Sequence, residues 1–274
     1  METELRAVEP VSPAAGYIGG KRNLARRLVE RIEAIPHDAY AEAFVGMGGV
    51  FLRRRSAPRL EVINDVSGDV ATFFRILQRH YTHFMEMLRF QIASRREFER
   101  LLKTDPATLT DLERAARFLY LQRLAFGGKV DGRTFGVSVT TSSRFNVTKL
   151  APTLEAIHER LAGVVIEQLP WRAFIDRYDR PGTLFYLDPP YYGSEGDYGR
   201  DAFSRDEFAE LAGRLRDLKG TFLLSINDRP EVRSLFEGFS IETLPTTYSV
   251  SQKGNSKVGE LLISRDARRN RYCD

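Results

Sequence analysis

TLFYLDPPY, residues 183–191, joins an unbroken apolar run to an acid, two prolines and an aromatic ring. Such a run suits a strand covered on both faces, which is the habit of parallel sheets. Its end at Asp188 falls at the carboxyl edge of that strand, where open α/β sheets bind their ligands. Pro189 and Pro190 fix the backbone and donate no N–H, so the carbonyls around them stay free to accept. Asp188 adds a carboxylate acceptor at the same point, and Tyr191 adds a flat face. The tetrapeptide therefore suits a planar group carrying an amino substituent: two acceptors for two N–H bonds, and a ring to stack on.

Outward from this strand, apolar runs alternate with helical spacing, as a parallel α/β sheet requires. Downstream, 204–219 reads as a helix opened by the capping-box pattern SRDE, with Phe208, Leu211, Leu215 and Leu218 on one face. TFLLSIND (221–228) is a second buried strand. Two further β-like runs flank the polar loop QKGNSKVG within 239–264. Upstream, 22–35 reads as an amphipathic helix with Leu24, Leu28 and Ile32 at steps of four. DAYAEAF (38–44) and LEVIND (60–65) are strands, VFLRRR (50–55) starts a helix, and 68–80 returns to helical spacing.

The middle of the chain breaks this alternation. Residues 82–126 look helical, with the capping box TDLE at 110–113 and a stop at Gly127-Gly128. Asp131-Gly132 signals a hairpin turn, followed by the β-like RTFGVSV. From Leu121 to Leu150 there are five basic residues (Arg123, Lys129, Arg133, Arg144, Lys149) and one acid, Asp131. A basic segment inside a chain of net charge +4 suits a polyanion as partner. The expected organisation is an α/β body of 1–81 and 151–274 with an inserted, mainly helical region at 82–150 carrying a β-hairpin. At 274 residues this is one large domain with an insertion.

Two glycine-rich loops precede helices. GYIGGK (16–21) lacks the glycine and the Ser or Thr of a phosphate-binding loop: those positions are Ala15 and Arg22. FVGMGG (44–49) follows a strand, but a dinucleotide fingerprint requires glycine where Phe51 stands. A nucleoside-type ligand without a pyrophosphate to cradle is left, or a plain tight turn. Asp65 lies 19 residues after Gly46, near the spacing at which an acid binds ribose hydroxyls in nucleotide-binding folds. The four histidines are scattered, and the single cysteine, Cys273, is next to last. No metal site, disulfide or catalytic thiol is expected. No apolar run is long enough to span a membrane, and the first residues do not resemble a signal peptide. A cytoplasmic protein is expected.

In the order YIGGK (17–21), AFVGMGGVF (43–51), IND (63–65), FGGKVDGRTFG (126–136), LDPPY (187–191), SIND (225–228) and SQKGNSKVGELLI (251–263), the chain resembles Dam-type DNA adenine N-6 methyltransferases of the α-class motif order. The resemblance covers about 16–263. It implies a Rossmann-like methyltransferase fold with a mostly parallel sheet. It also implies transfer of the methyl group of S-adenosylmethionine to the N-6 amino nitrogen of a flipped-out adenine in double-stranded DNA. On matching positions, Tyr17, Lys21, Phe44, Gly46, Gly48, Asp65 and Asp188 would hold the cofactor. Asp188, Pro189, Pro190 and Tyr191 would form the catalytic pocket. The region 82–150 would recognise the target, with Lys129, Arg133 and Arg144 on DNA. The family's acid near the cofactor's adenine has no clear counterpart in LPWRAFID (169–176), so neither Trp171 nor Asp176 takes that role, and Trp171 reads as packing. A cognate restriction endonuclease is a partner the resemblance allows, and a monomer is expected. Methylation of cytosine N-4, of an RNA base, or a DNA-binding paralogue without activity are the alternatives.

Overall fold

The computed structural model describes residues 5–21, 23–136, 140, 142–198, 203–244 and 259–265. Strands β1 (Ala39–Glu42), β2 (Leu60–Asn64), β3 (Val165–Glu167), β4 (Thr183–Leu187), β5 (Thr221–Asn227), β6 (Ser240–Leu244) and β7 (Glu260–Ser264) form one sheet. Its order is β3-β2-β1-β4-β5-β7-β6. The first five strands pair in parallel, while β7 runs antiparallel to both β5 and β6. The order reverses between β1 and β4, and this is the switch point where α/β sheets open a ligand crevice. Topology and strand directions are those of the Rossmann-like methyltransferase fold. A separate short pair joins Arg6–Ala7 to Ser56–Ala57.

Period-two alternation divides the strand residues between two cores. Tyr40, Ile63, Leu184, Tyr186 and Leu223 face one side, with α1 (Ala25–Glu33), α2 (Gly68–Arg79) and α6 (Val147–Arg160). Ala41, Val62, Phe185, Leu187 and Leu224 face the other, with α7 (Trp171–Tyr178), α8 (Glu207–Arg216) and α9 (Pro230–Leu235). Helices α3 (Tyr81–Leu88), α4 (Arg95–Lys103) and α5 (Asp111–Leu124) stack on the first side. Phe73 of α2 meets Phe84 of α3 and Phe118 of α5 at ring centroid distances of 6.2 and 5.8 Å. The helices of 82–150 thus share a core with the α/β body.

Several expectations are refined. The Thr110–Glu113 capping box forms in full, and the helix it opens ends before Gly127 and Gly128, both at φ +68°. The Ser204–Glu207 pattern forms by half: the Glu207 carboxylate accepts from the Ser204 N–H at 2.6 Å, and α8 starts at Glu207. The stretch 50–55 makes only a short 3-10 turn, Phe51–Arg53, because Arg54 turns extended and carries its guanidinium into the core. Among the described residues, the hairpin is a loop closed by one bridge, Ala125 to Phe135. Its second run continues into 137–139 and 141, which lie outside the described residues, as do 252–258 and Cys273. Trp171 is buried and donates its indole N–H to Glu207 at 2.9 Å, a packing role, while Asp176 pairs with Arg214.

Candidate active site

A cavity of about 630 Å³ opens at the carboxyl ends of β1, β2 and β4. Both glycine loops line it, together with Glu42, Phe44, Asp65, Asp188 and Pro190. Its size is in the usual range of small-molecule sites. The loops after β1, β2 and β4, with the 16–21 loop ahead of α1, bring these residues together, so that positions distant in sequence converge where the sheet order reverses.

The loop after β1 owes its shape to two left-handed glycines, Gly46 at φ +50° and Gly48 at φ +74°. A Cβ on Gly46 would sit 3.0 Å from the Tyr17 ring, so glycine lets that ring lie against the backbone. Asp65 directly follows β2 and ties this loop down. Its carboxylate accepts from the Gly46 N–H and the Ser67 N–H, each at 2.9 Å. Burial pushes its carboxyl up to about 6, against the pull of these two donors. Asn64, beside it, bridges the Ala43 and Leu169 carbonyls. Glu42 ends β1 fully buried; burial raises its carboxyl to about 8, while the Tyr40 hydroxyl donates to it at 2.6 Å.

The 16–21 loop is held from the side by the end of α5. Gln122 donates to the carbonyls of Gly16 and Gly128, and Arg123 donates to Ala14. Gly128 approaches so closely that a Cβ there would stand 3.1 Å from the Gly16 backbone. This seam joins the basic loop after α5 to the cavity wall, and both Arg123 and Gly127 line the cavity.

At the end of β4, Asp188 meets the Lys21 ammonium at 2.8 Å and accepts from the Ser225 hydroxyl at 3.1 Å. Burial raises its carboxyl to about 6; Lys21 opposes the rise and Glu260 adds to it. Lys21 also donates to Glu260 and to the Tyr191 hydroxyl. The following backbone is clamped by Asn227, which accepts from the Tyr192 N–H and donates to the Tyr192 carbonyl.

Of the residues expected to act, Tyr17, Lys21, Phe44, Gly46, Asp65, Asp188 and Pro190 all line one cavity. Gly48 lies behind it: a Cβ there would meet Leu52 at 2.8 Å, so its part is to let the turn close. Pro189 is buried beside the cavity, and Tyr191 is part-exposed. Lys129 and Arg144 are exposed. Arg133 is different: it donates to Gln122 and to the Lys129 carbonyl, and burial pulls its guanidinium pKa down. It braces the loop from within. Glu42, Ser225, Asn227 and Glu260 carried no assignment from sequence. Glu260 had a signal, as an acid heading the apolar run ELLI. Among the described residues, no cluster could hold a metal ion, and no helix is long and apolar enough to cross a membrane.

A sheet of this order, with a nucleoside-sized cavity at its switch point and DPPY at the end of its fourth strand, defines an α/β methyltransferase. The model of the D12 class N6 adenine-specific DNA methyltransferase family matches residues 17–250, and the chain belongs to that family. It is an enzyme that methylates adenine in DNA site-specifically, which decides among the alternatives left open by the sequence. The chain is 24% identical over 273 residues to the type II methyltransferase M1.LlaDCHI of Lactococcus lactis subsp. cremoris, covering 92% of this chain and 94% of that protein. It is 21% identical over 233 residues to the type II methyltransferase M.CviBI of Paramecium bursaria Chlorella virus NC1A, covering 84% and 88%. It is 27% identical over 285 residues to the DNA N-6-adenine-methyltransferase of Escherichia phage P1, covering 93% of this chain and 36% of that protein.

Proposed function

We propose that the cavity holds S-adenosylmethionine and that Asp188, with the Pro189 carbonyl, receives the adenine amino group beside it. The observation that carries this reading is that Asp188 lines the same cavity as Asp65 and the Gly46 loop. The donor and acceptor set fits the cofactor. Asp65 offers a carboxylate to ribose hydroxyls, Tyr17 and Phe44 offer aromatic faces, and Glu42 and Asp188 place acidic groups near a sulfonium. The cofactor supplies an already activated methyl group. Lys21, drawn to Asp188 and Glu260, serves the catalytic pocket.

The chain's own task is to prepare a poor nucleophile. The lone pair of the adenine amino nitrogen is delocalised into the ring. Acceptors at Asp188 and the Pro189 carbonyl bind its two hydrogens, favour the pyramidal form and stabilise the positive charge that develops on nitrogen. Pro190 fixes the turn. In a duplex the amino group is inside the stack, so the base is flipped out. Tyr191 stacks on it, worth about 1–3 kcal/mol by analogy with other base–aromatic contacts.

The region 82–150 serves as the target-recognition part, with Lys129 and Arg144 as exposed DNA contacts and Arg133 as the brace of their loop. If each exposed residue touches a phosphate, Lys129→Ala and Arg144→Ala should each weaken binding, and each should lower the slope of log K against log salt by about 0.9. A slope unchanged in both variants removes them from the interface. A cytoplasmic location in a bacterium or phage-infected cell goes with a DNA substrate, and a monomer with or without a companion endonuclease completes the reading.

The test is transfer from labelled S-adenosylmethionine to unmethylated duplex DNA, followed by digestion to nucleosides. The label should appear as N-6-methyldeoxyadenosine; its absence, with cofactor bound, would refute the reading. Only ionised Asp188 sets a negative charge against the positive charge that develops on nitrogen. With its carboxyl pushed up to about 6, turnover should fall as the pH drops through that value. A kcat level down to pH 5 would show that Asp188 does not accept the amino proton.

A further inference from the structure

Glu260 heads β7 with no exposure to solvent. One carboxylate oxygen accepts from the Lys21 ammonium at 2.6 Å, and the other accepts from the Tyr191 hydroxyl at 2.6 Å. The same ammonium is 2.8 Å from Asp188 and 3.0 Å from the Tyr191 hydroxyl, and lies 4.4 Å from the centre of the Tyr191 ring. A buried carboxylate is costly, and packing alone would be served better by an apolar residue, as at the neighbouring Leu261 and Leu262. Lys21 and Asp188 would also make a complete ion pair without it. Glu260 therefore adds something that stability does not require.

The charges say what it adds. Lys21 with Asp188 alone sums to zero, and an ammonium seated on that carboxylate would compete for the lone pairs that must accept from adenine. Glu260 brings a second negative charge from the far side. It shares the ammonium, leaving the cluster with one net negative charge where nitrogen becomes positive. It also accepts a hydrogen bond from the Tyr191 hydroxyl, which fixes the orientation of the ring offered for stacking.

We infer that Glu260 is a positioning residue for methyl transfer: it draws the Lys21 ammonium and the Tyr191 hydroxyl to itself and so leaves the lone pairs of Asp188 available to the amino group. This rests on the role of Asp188 proposed above. In the step it serves, the N–CH₃ bond forms as the S–CH₃ bond breaks. The sulfonium leaves as a neutral thioether, and the nitrogen carries the positive charge until it gives one proton through Asp188 to solvent.

Glu260→Gln removes the charge and keeps the shape, and its amide oxygen can still accept from one of the two donors. The DPPY turn keeps its clamp, because Asn227 holds Tyr192 independently. Turnover should fall by about tenfold or more, with little change in affinity for S-adenosylmethionine or DNA. The acid limb of turnover should also move to lower pH, because Glu260 raises the Asp188 carboxyl and its loss lets that carboxyl titrate lower. A residue that only packs would not move that limb. Glu260→Asp, which retains the charge, should keep the limb in place and restore part of the turnover. The cost of Glu260→Gln should be smaller in a Lys21→Met background, where there is no ammonium to draw away. Wild-type turnover in Glu260→Gln, an unmoved limb, or equal costs in both backgrounds would each overturn the inference. Asp188→Ala in the same assay separates the two ideas: if it retains turnover, the role of Asp188 fails; if it is inactive while Glu260→Gln is normal, only this inference fails.

Discussion

Asp188→Ala should lose at least about 10²–10³ in single-turnover rate, the cost typical of removing one group aimed at charge that develops in the transition state. The loss should fall on the chemical step. S-adenosylmethionine should still bind, since Asp65, Gly46 and the aromatic faces stand on other loops of the cavity. DNA affinity should persist, because the exposed cations of 82–150 are untouched. The fold should also survive. Lys21 keeps Glu260 at 2.6 Å and the Tyr191 hydroxyl, so no buried cation is stranded. Burial already disfavours the Asp188 charge, so the folded protein gives up little by its removal. Asp188→Asn is the sharper companion. Its amide can turn an oxygen or an N–H toward adenine but carries no charge, so it should recover only a fraction of the lost rate. Turnover of Asp188→Ala within about tenfold of wild type would place the acceptor elsewhere.

The frame around this residue was legible because its signals are local. The strands β4 and β5 are apolar runs covered on both faces, β1 and β2 are mostly buried with one glutamate each, and the chemistry at Glu42, Asp65, Asp188 and Asn227 falls at their ends. Glycines at 46 and 48 announced a turn that only glycine makes easily. Where the signal was not local, the reading thinned. Strand β3 pairs only at the sheet edge, beside β2, and its apolar VVI (164–166) is too short, and its three strand residues too little buried, to stand out as a strand. The 50–55 stretch has helical spacing, but the destination of Arg54 ends the turn. The loop after α5 has a hairpin's turn signal and keeps two hairpin bonds, yet its Gly128 carbonyl accepts from the Ile18 N–H at 3.0 Å, a partner more than 100 residues away. Buried charges were the least legible, because Glu42, Glu61, Arg54, Arg160 and Glu260 look like surface residues until their partners arrive from distant segments. The pattern in the sequence reports what a residue avoids, water or core. It does not report with whom a charge is paired.

One such pairing carries the largest expected effect on stability. Glu61 on β2 is the shared partner of two buried guanidinium groups. Arg54 donates to it at 2.7 Å, and Arg160 of α6 donates to both of its oxygens, each at 2.7 Å. Arg54 has no exposure, and its group lies 3.8 Å from the centre of the Tyr40 ring; Arg160 lies over Phe51 at 4.2 Å. His37 meets Arg54 at 3.2 Å, and burial lowers its pKa, so at neutral pH it is uncharged and accepts from that group. It offers no compensating charge. The rings help, but the Nε of Arg54 and of Arg160 is without a hydrogen-bond partner among the described residues. One carboxylate therefore balances two cations in the seam between β2, α6 and the 50–55 turn. Glu61→Gln strands both and should cost about 3–5 kcal/mol, the range for breaking a buried ion pair from one side. Arg160→Met leaves Glu61 paired with Arg54 and replaces a cation by an apolar chain, so it should cost clearly less. Urea unfolding of the three proteins checks the order through their midpoints at unchanged m. Glu61, Arg54 and Arg160 do not line the cavity, so the folded fraction of each variant should still methylate. A loss below about 1 kcal/mol for Glu61→Gln would mean that the two cations reach water when their partner is removed.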